Sequence, residues 1–227
     1  MSKNGKYIAI TAALFLASSL AASASSTVLN MNGLGDEQAV ASYFNGGLAG
    51  NGYGPGPSDG VVFSGNSLSI ISALQGGSGN FQDNPSGNPI VFFLTGAGDD
   101  LDVAGGVTGG FSFYYSSADA VDVTVYSGLD GTGTLLATID LSAQYDVGCA
   151  AGATESFCNW TAAGATFDGT AESIDFNGVE NEVGFDEITL GSGTPGGETV
   201  TPEPGTFVLL GSGLIGLAGM VRRRFSR

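Results

Sequence analysis

The chain has 227 residues, a length for one domain or at most two, with 6 Lys+Arg against 22 Asp+Glu, a net charge of −16 and no histidine. All acidic residues lie between Tyr7 and Val221 and all basic ones outside that stretch, so the middle repels nucleic acid and anionic lipid headgroups. Without histidine, Ser-His-Asp and Cys-His nucleophile systems, His-ligated metals and an imidazole pH switch are excluded.

The first residues have the pattern of a secretory signal peptide. Lys3 and Lys6 supply the positive n-region, and residues 8–20 are an apolar stretch of the right length. Ala22-Ser23-Ala24 gives the small-residue cleavage pattern. Passage through the Sec translocon and removal of residues 1–24 are predicted, with Ser25 as the first mature residue; the alternative is a retained N-terminal anchor.

The middle is Gly-rich, and its 39 glycines cluster between apolar runs, as turns do. In chain order, residues 36–44 suit a short turn and residues 67–74 a strand. Residues 90–94 form an uninterrupted apolar run, suited to a strand buried on both faces. Phe111, Phe113 and Tyr115 alternate with Ser112, Tyr114 and Ser116, and Val121, Val123 and Val125 with Asp122, Thr124 and Tyr126. Residues 127–133 read as a hairpin connection to a strand at 135–141, and Ile174-Phe176 and Val183-Phe185 continue the period of two. No segment of helical length has a 3.6-residue period outside the two terminal apolar runs. The expected fold of residues 25–190 is therefore all-β, a jelly-roll-like β-sandwich, followed by a Gly/Thr-rich linker at 191–201.

Cys149 and Cys158, the only cysteines, are expected to pair in an oxidising compartment, a staple worth roughly 2–3 kcal/mol. Asp99, Asp100 and Asp102 group three carboxylates in what reads as a loop, chemically suited to calcium but without EF-hand spacing. No G-x-S-x-G, H-E-x-x-H or Walker motif occurs, and a non-enzymatic protein is expected. A non-catalytic role as a glycan binder would use aromatic rings beside polar groups. By alternation Tyr114 and Tyr126 face away from the core and are the first candidates, with Tyr43, Tyr53 and Trp160 in or near loops.

At the C-terminus, residues 207–221 form a 15-residue apolar run. As a helix it would span roughly 22 Å, short of the roughly 30 Å hydrocarbon core but able to cross if the flanking Arg side chains snorkel. Arg222, Arg223 and Arg224 would hold its end in the cytoplasm, giving a single C-terminal transmembrane helix. Just before it stands Pro202-Glu203-Pro204. This triplet, the Gly-rich apolar run and the terminal Arg cluster together resemble the PEP-CTERM sorting signal of Gram-negative bacteria, over residues 202–227. The resemblance implies an exosortase, an integral-membrane cysteine transpeptidase, as processing partner. It also implies transient inner-membrane anchoring, and then the cell surface, outer envelope or extracellular matrix of a polysaccharide-producing host.

A weaker likeness covers the middle. The opening segment at residues 32–35 and the closing residues 184–190 resemble galactose-binding-like and MAM-like jelly rolls. That likeness implies one structural calcium between first and last strands, with Asp36, Glu37, Asp186 and Glu187 as candidate ligands. The expected function is carbohydrate binding or adhesion in exopolysaccharide or biofilm. A purely structural acidic matrix protein is the alternative, and a polysaccharide-active hydrolase a distant third.

Overall fold

A computed structural model of the chain describes residues 26–87 and 89–197. The signal peptide, the Pro202-Glu203-Pro204 triplet, the apolar run and the Arg cluster lie outside the described residues. The described chain is all-β, with one large antiparallel sheet of ten strands and two short 3-10 turns, Gly50–Gly52 and Ala73–Gln75. The strands are β1 (Thr27–Leu29), β2 (Gln38–Ala39), β3 (Val61–Phe63), β4 (Ser67–Ile70) and β5 (Ile90–Phe93), then β6 (Gly98–Ser117), β7 (Val121–Tyr126), β8 (Leu135–Leu141), β9 (Thr161–Asn177) and β10 (Val183–Leu190). The sheet order is β2-β4-β5-β10-β6-β9-β7-β8, with β1 added beside β10 and β3 beside β6.

Two strands are far longer than the rest, β6 with 20 residues and β9 with 17, and they pair with each other. Their register shifts between Asp102 and Val107 and again between Val107 and Gly109. Gly106 and Gly109 sit there at φ of +69° and +90°, a backbone that side-chain-bearing residues rarely adopt. These bulges bend the β6–β9 ribbon, so each strand serves two halves of the sheet. Residues 101–103 of β6 pair with β3, and residues 173–176 of β9 with β7. Beyond the bend, residues 111–117 of β6 pair with β10.

The two halves face each other across one core. Phe176, from the half holding β7, packs against Phe185 at 4.6 Å between ring centres, Phe111 at 5.8 Å and Phe113 at 5.9 Å, all from the other half. These rings are 0–1% exposed. Alternation places them there: Phe111, Phe113 and Tyr115 point inward, as do Val123, Val125, Ile139 and Ile174. Of the run expected at 90–94, residues 90–93 form a strand buried on both faces, while Leu94 lies beyond its end and is 37% exposed.

Three expectations change. The strand expected at 67–74 stops at Ile70, and Ser72 caps a 3-10 turn by accepting a hydrogen bond from Leu74 N–H. The aspartates at 99, 100 and 102 are not in a loop but in β6, where strand pairing alternates them: Asp99 turns inward and is 4% exposed, while Asp100 and Asp102 face out. Residues 191–197, expected as linker, run along the sheet. Ser112 Oγ donates to Ser192 O (2.8 Å), and a Cβ on Gly110 or Gly164 would stand 2.5 Å from Gly193 backbone, so glycine there makes room for the tail. The tail then returns to the start of the domain, where Ser26 Oγ donates to Gly197 O at 2.7 Å.

Replacing Phe176 with alanine removes the ring that joins the two halves. It should destabilise the protein by about 3–5 kcal/mol, read as a lower urea midpoint, whereas Tyr126→Ala on the outer face should cost far less.

Candidate ligand-binding cleft

Outward residues of β4 and β5 build a second, smaller apolar cluster on the outer face of one sheet half. Ile70, Ile90 and Phe92 form its floor, with Phe81 and Phe157 above and Leu68, Tyr145 and Trp160 at its margin. Two loops supply the upper layer: residues 71–87, and the segment carrying the Cys149–Cys158 disulfide, whose Cα atoms are 5.5 Å apart. Gln82 ties these loops together. Its side-chain oxygen accepts from Thr154 N–H (2.9 Å) and Glu155 N–H (3.0 Å), and its carbonyl accepts from Trp160 Nε1 (2.9 Å).

Held this way, Trp160 stands edge-on to Phe81, 6.1 Å between ring centres, with its six-membered ring over Gly184. A Cβ at Gly184 would lie 2.6 Å from Ile90 Cδ1 and 3.5 Å from Trp160 Cη2, so the glycine leaves space for the indole to close over the sheet. Between Trp160, Phe81, Phe157 and Gly184 lies a shallow cleft with the amides of Asn80 and Asn181 in its wall. Its free volume of about 20 Å³ admits a water molecule but no sugar ring, so a larger ligand would lie across its mouth.

Tyr114 shares this outer face. Ser116 pairs with Gly184 and Tyr114 with Asp186, so the tyrosine stands one alternation along from the glycine beneath Trp160. Ser116 Oγ, in that row, is fully buried and has no hydrogen-bond partner among the described residues. Tyr126 also points outward and is half-buried, but it belongs to β7 in the opposite half, pairing with Leu135 and Ser173. The two candidate tyrosines therefore lie on different halves of the sheet. Of the loop aromatics, Tyr53 is 46% exposed and stacks on Tyr43, 6.0 Å between ring centres.

Three of the four expected calcium ligands, Asp36, Glu37 and Asp186, accept hydrogen bonds from protein donors. Asp186, 4% exposed, accepts from Asn84 Nδ2 (3.0 Å), Ser86 N–H (2.9 Å) and Glu187 N–H (2.9 Å), which pins residues 84–86 against β10. Asp36 accepts from Ile71 N–H (2.8 Å), and Glu37 from Ser78 Oγ (2.9 Å). Burial opposes ionisation of Asp36, but the bonds from Ile71 and Ser78 outweigh it and hold the carboxyl below its usual range. Burial, then the charge of Asp186, pushes Glu187 up. Among the described residues no group of three or more carboxylates or thiols is arranged to hold a metal ion.

The opposite half carries an acidic face. Asp100 and Asp175 are direct cross-strand partners, Asp102 lies one alternation on, and Asp122 faces Asp140 across β7 and β8. Burial, with the hydrogen bond and charge of Asp100 and the charge of Asp102, pushes Asp175 up to about 7. Asp99, turned inward, is pushed up to about 6 by burial, against the hydroxyls of Ser64 and Ser67 that donate to it. Both carboxyls thus hold protons that the unfolded chain releases near pH 4. Native stability should fall as pH rises from about 4 to about 7 and level off above. Urea midpoints measured between pH 5 and pH 8 should decline, and Asp175→Asn should flatten the decline; an unchanged slope in that variant would reject the assignment.

Residues 200–224 match the family model of the PEP-CTERM protein-sorting motif. No curated protein sequence matches the chain. Similar solved structures include the module CsCBM6-3 from Clostridium stercorarium in complex with cellobiose (17% identity, 72% of this chain and 90% of that one, TM-score 0.35). A mutant of CBM29-2, from the family 29 carbohydrate-binding modules, aligns at 14% identity over 75% of this chain and 95% of that one, TM-score 0.38. A glycoside hydrolase family 43 arabinoxylan arabinofuranohydrolase from Bacillus subtilis, in complex with cellotetraose, aligns at 18% identity over 56% of this chain and 25% of that one, TM-score 0.34. At these scores the likeness assigns neither ligand nor site to this chain. The family-model match does identify the tail: this is a protein that carries a PEP-CTERM sorting motif, over 25 of its 227 residues (224 − 200 + 1 = 25).

Proposed function

We propose that the chain is an exported, exosortase-processed, non-catalytic protein that binds polysaccharide through the cleft beside Trp160, at the cell surface or in an exopolysaccharide or biofilm matrix. The folded-over sheet is read as a jelly-roll-like β-sandwich. The sorting motif supports the route: signal peptide and Sec translocon, transient anchoring by the C-terminal apolar helix, then processing near Pro202-Glu203-Pro204. The observation that carries the binding role is the indole of Trp160, fixed by Gln82 and flanked by two amides and Tyr114 on one outer face. Aromatic faces beside a few polar groups suit the apolar faces and hydroxyls of sugars.

A second reading rests on a different observation. The face built from Asp100, Asp102, Asp122, Asp140 and Asp175 has no cation to answer it within the described residues. Such a surface hydrates strongly and would suit a purely structural acidic matrix protein.

Retention of the purified full chain on the extracellular polysaccharide of its own bacterium separates the two. Binding should saturate, compete with free glycan and weaken about tenfold or more, about 1.4 kcal/mol, in Trp160→Ala and in Tyr114→Ala. Tyr126→Ala should bind as the parent does. No retention by the parent chain would leave the matrix reading, and loss of polysaccharide during the assay would reinstate the hydrolase.

A further inference from the structure

A groove on another side of the domain is built from two unpaired strand edges. Among the described strands β8 ends the sheet and pairs with β7 alone. β9 has its second edge taken up by β7 only from Ser173 to Phe176, so among the described strands residues 161–167 pair with β6 alone. These two edges run side by side in opposite directions. Leu135 and Leu136 stand across from Thr166, Phe167 and Asp168, and residues 138–140 across from residues 161–164. The lobes between them have volumes of about 630 and 510 Å³, within the roughly 300–1,000 Å³ of ligand sites.

The floor is the rim of the main core. Leu136, Ala137, Ala163, Ala165 and Phe167 are partly buried hydrophobics packed against it. Along β9 this rim includes the small side chains of Ala163 and Ala165, both half-buried. The walls are backbone, since each edge presents alternate N–H and C=O groups that no neighbouring strand uses. Natural edges are commonly protected by lysine, and there is none in the described residues.

We propose that this seam is a docking site for an extended peptide strand from a cationic partner protein, which adds to β8 and β9 at once. Main-chain hydrogen bonds to both rims would hold it, and its inward side chains would complete the core. Charge selects the partner. Asp140 and Asp168 are exposed on the two rims, and no Lys or Arg lies between Tyr7 and Val221. A second copy of the domain would bring like charge to the seam, whereas a strand flanked by Lys or Arg meets opposite charge at both rims.

The probe is a nine-residue peptide of alternating valine and threonine with lysine at each end, added to the purified full chain. Saturable binding should slow hydrogen exchange about tenfold or more at the amides of residues 135–141 and 161–168 together. The doubly reversed variant Asp140→Lys, Asp168→Lys, altered only at exposed positions, should bind several-fold more weakly and fold as the parent does. Ala163→Leu, which fills the floor, should block binding, with melting temperature as its control for folding. No saturation at millimolar peptide, or protection of only one edge, overturns the proposal. Protection that appears without peptide as protein concentration rises replaces the partner with a second copy. The same protection from cellotetraose makes the seam a glycan groove.

Discussion

The bend in the β6–β9 ribbon is the constraint on which the rest of the molecule depends. A flat antiparallel sheet of ten strands would leave one face of Phe111, Phe113, Val123, Ile174 and Phe176 in water. The bulges at Gly106 and Gly109 allow both long strands to turn without breaking their pairing, and burial of these rings then holds the halves together. The outer face with Trp160, the acidic face with Asp175 and the open seam between β8 and β9 are all consequences of that one fold-over.

Closing the sheet this way distributes charge unevenly. One outer face is covered by loops and a disulfide and carries aromatic rings; the other is left as strands studded with aspartate. With no lysine or arginine among the described residues, the protein answers its buried carboxylates with neutral donors: serine hydroxyls at Asp99, and an amide and backbone N–H groups at Asp186. Where donors run out, as at Asp175, burial and the neighbouring carboxylates push the group toward its neutral form.

Much of the fold was legible from alternation alone. Residues 111–116, 121–126, 135–141, 174–176 and 183–185 all lie in strands of the sheet, and the hairpin at 127–133 connects β7 to β8. The N-terminal halves of β6 and β9 were not legible, because Asp, Gly, Ala and Thr predominate there and the hydrophobic signal of a strand is absent; cross-strand pairing, not local preference, makes them extended. The site was less legible still. Trp160 and Tyr114 stood out as residues, but Phe81, Asn80, Phe157 and Asn181 lie in loops without periodicity, and only the Cys149–Cys158 spacing hinted that residues near 157–160 were fixed. Alternation reports which way Tyr114 and Tyr126 face, not that they belong to different halves of a folded sheet.

The hydrogen bond from Ser26 to Gly197 has a mechanical consequence. The described chain enters and leaves at one point, beside the β1–β10 pair. β10 lies inside the sheet, bonded to β5 and β1 along one edge and to β6 along the other. A pull arriving through residues beyond Gly197 would therefore load rows of hydrogen bonds on both sides of an interior strand in shear, instead of peeling an edge strand away one bond at a time.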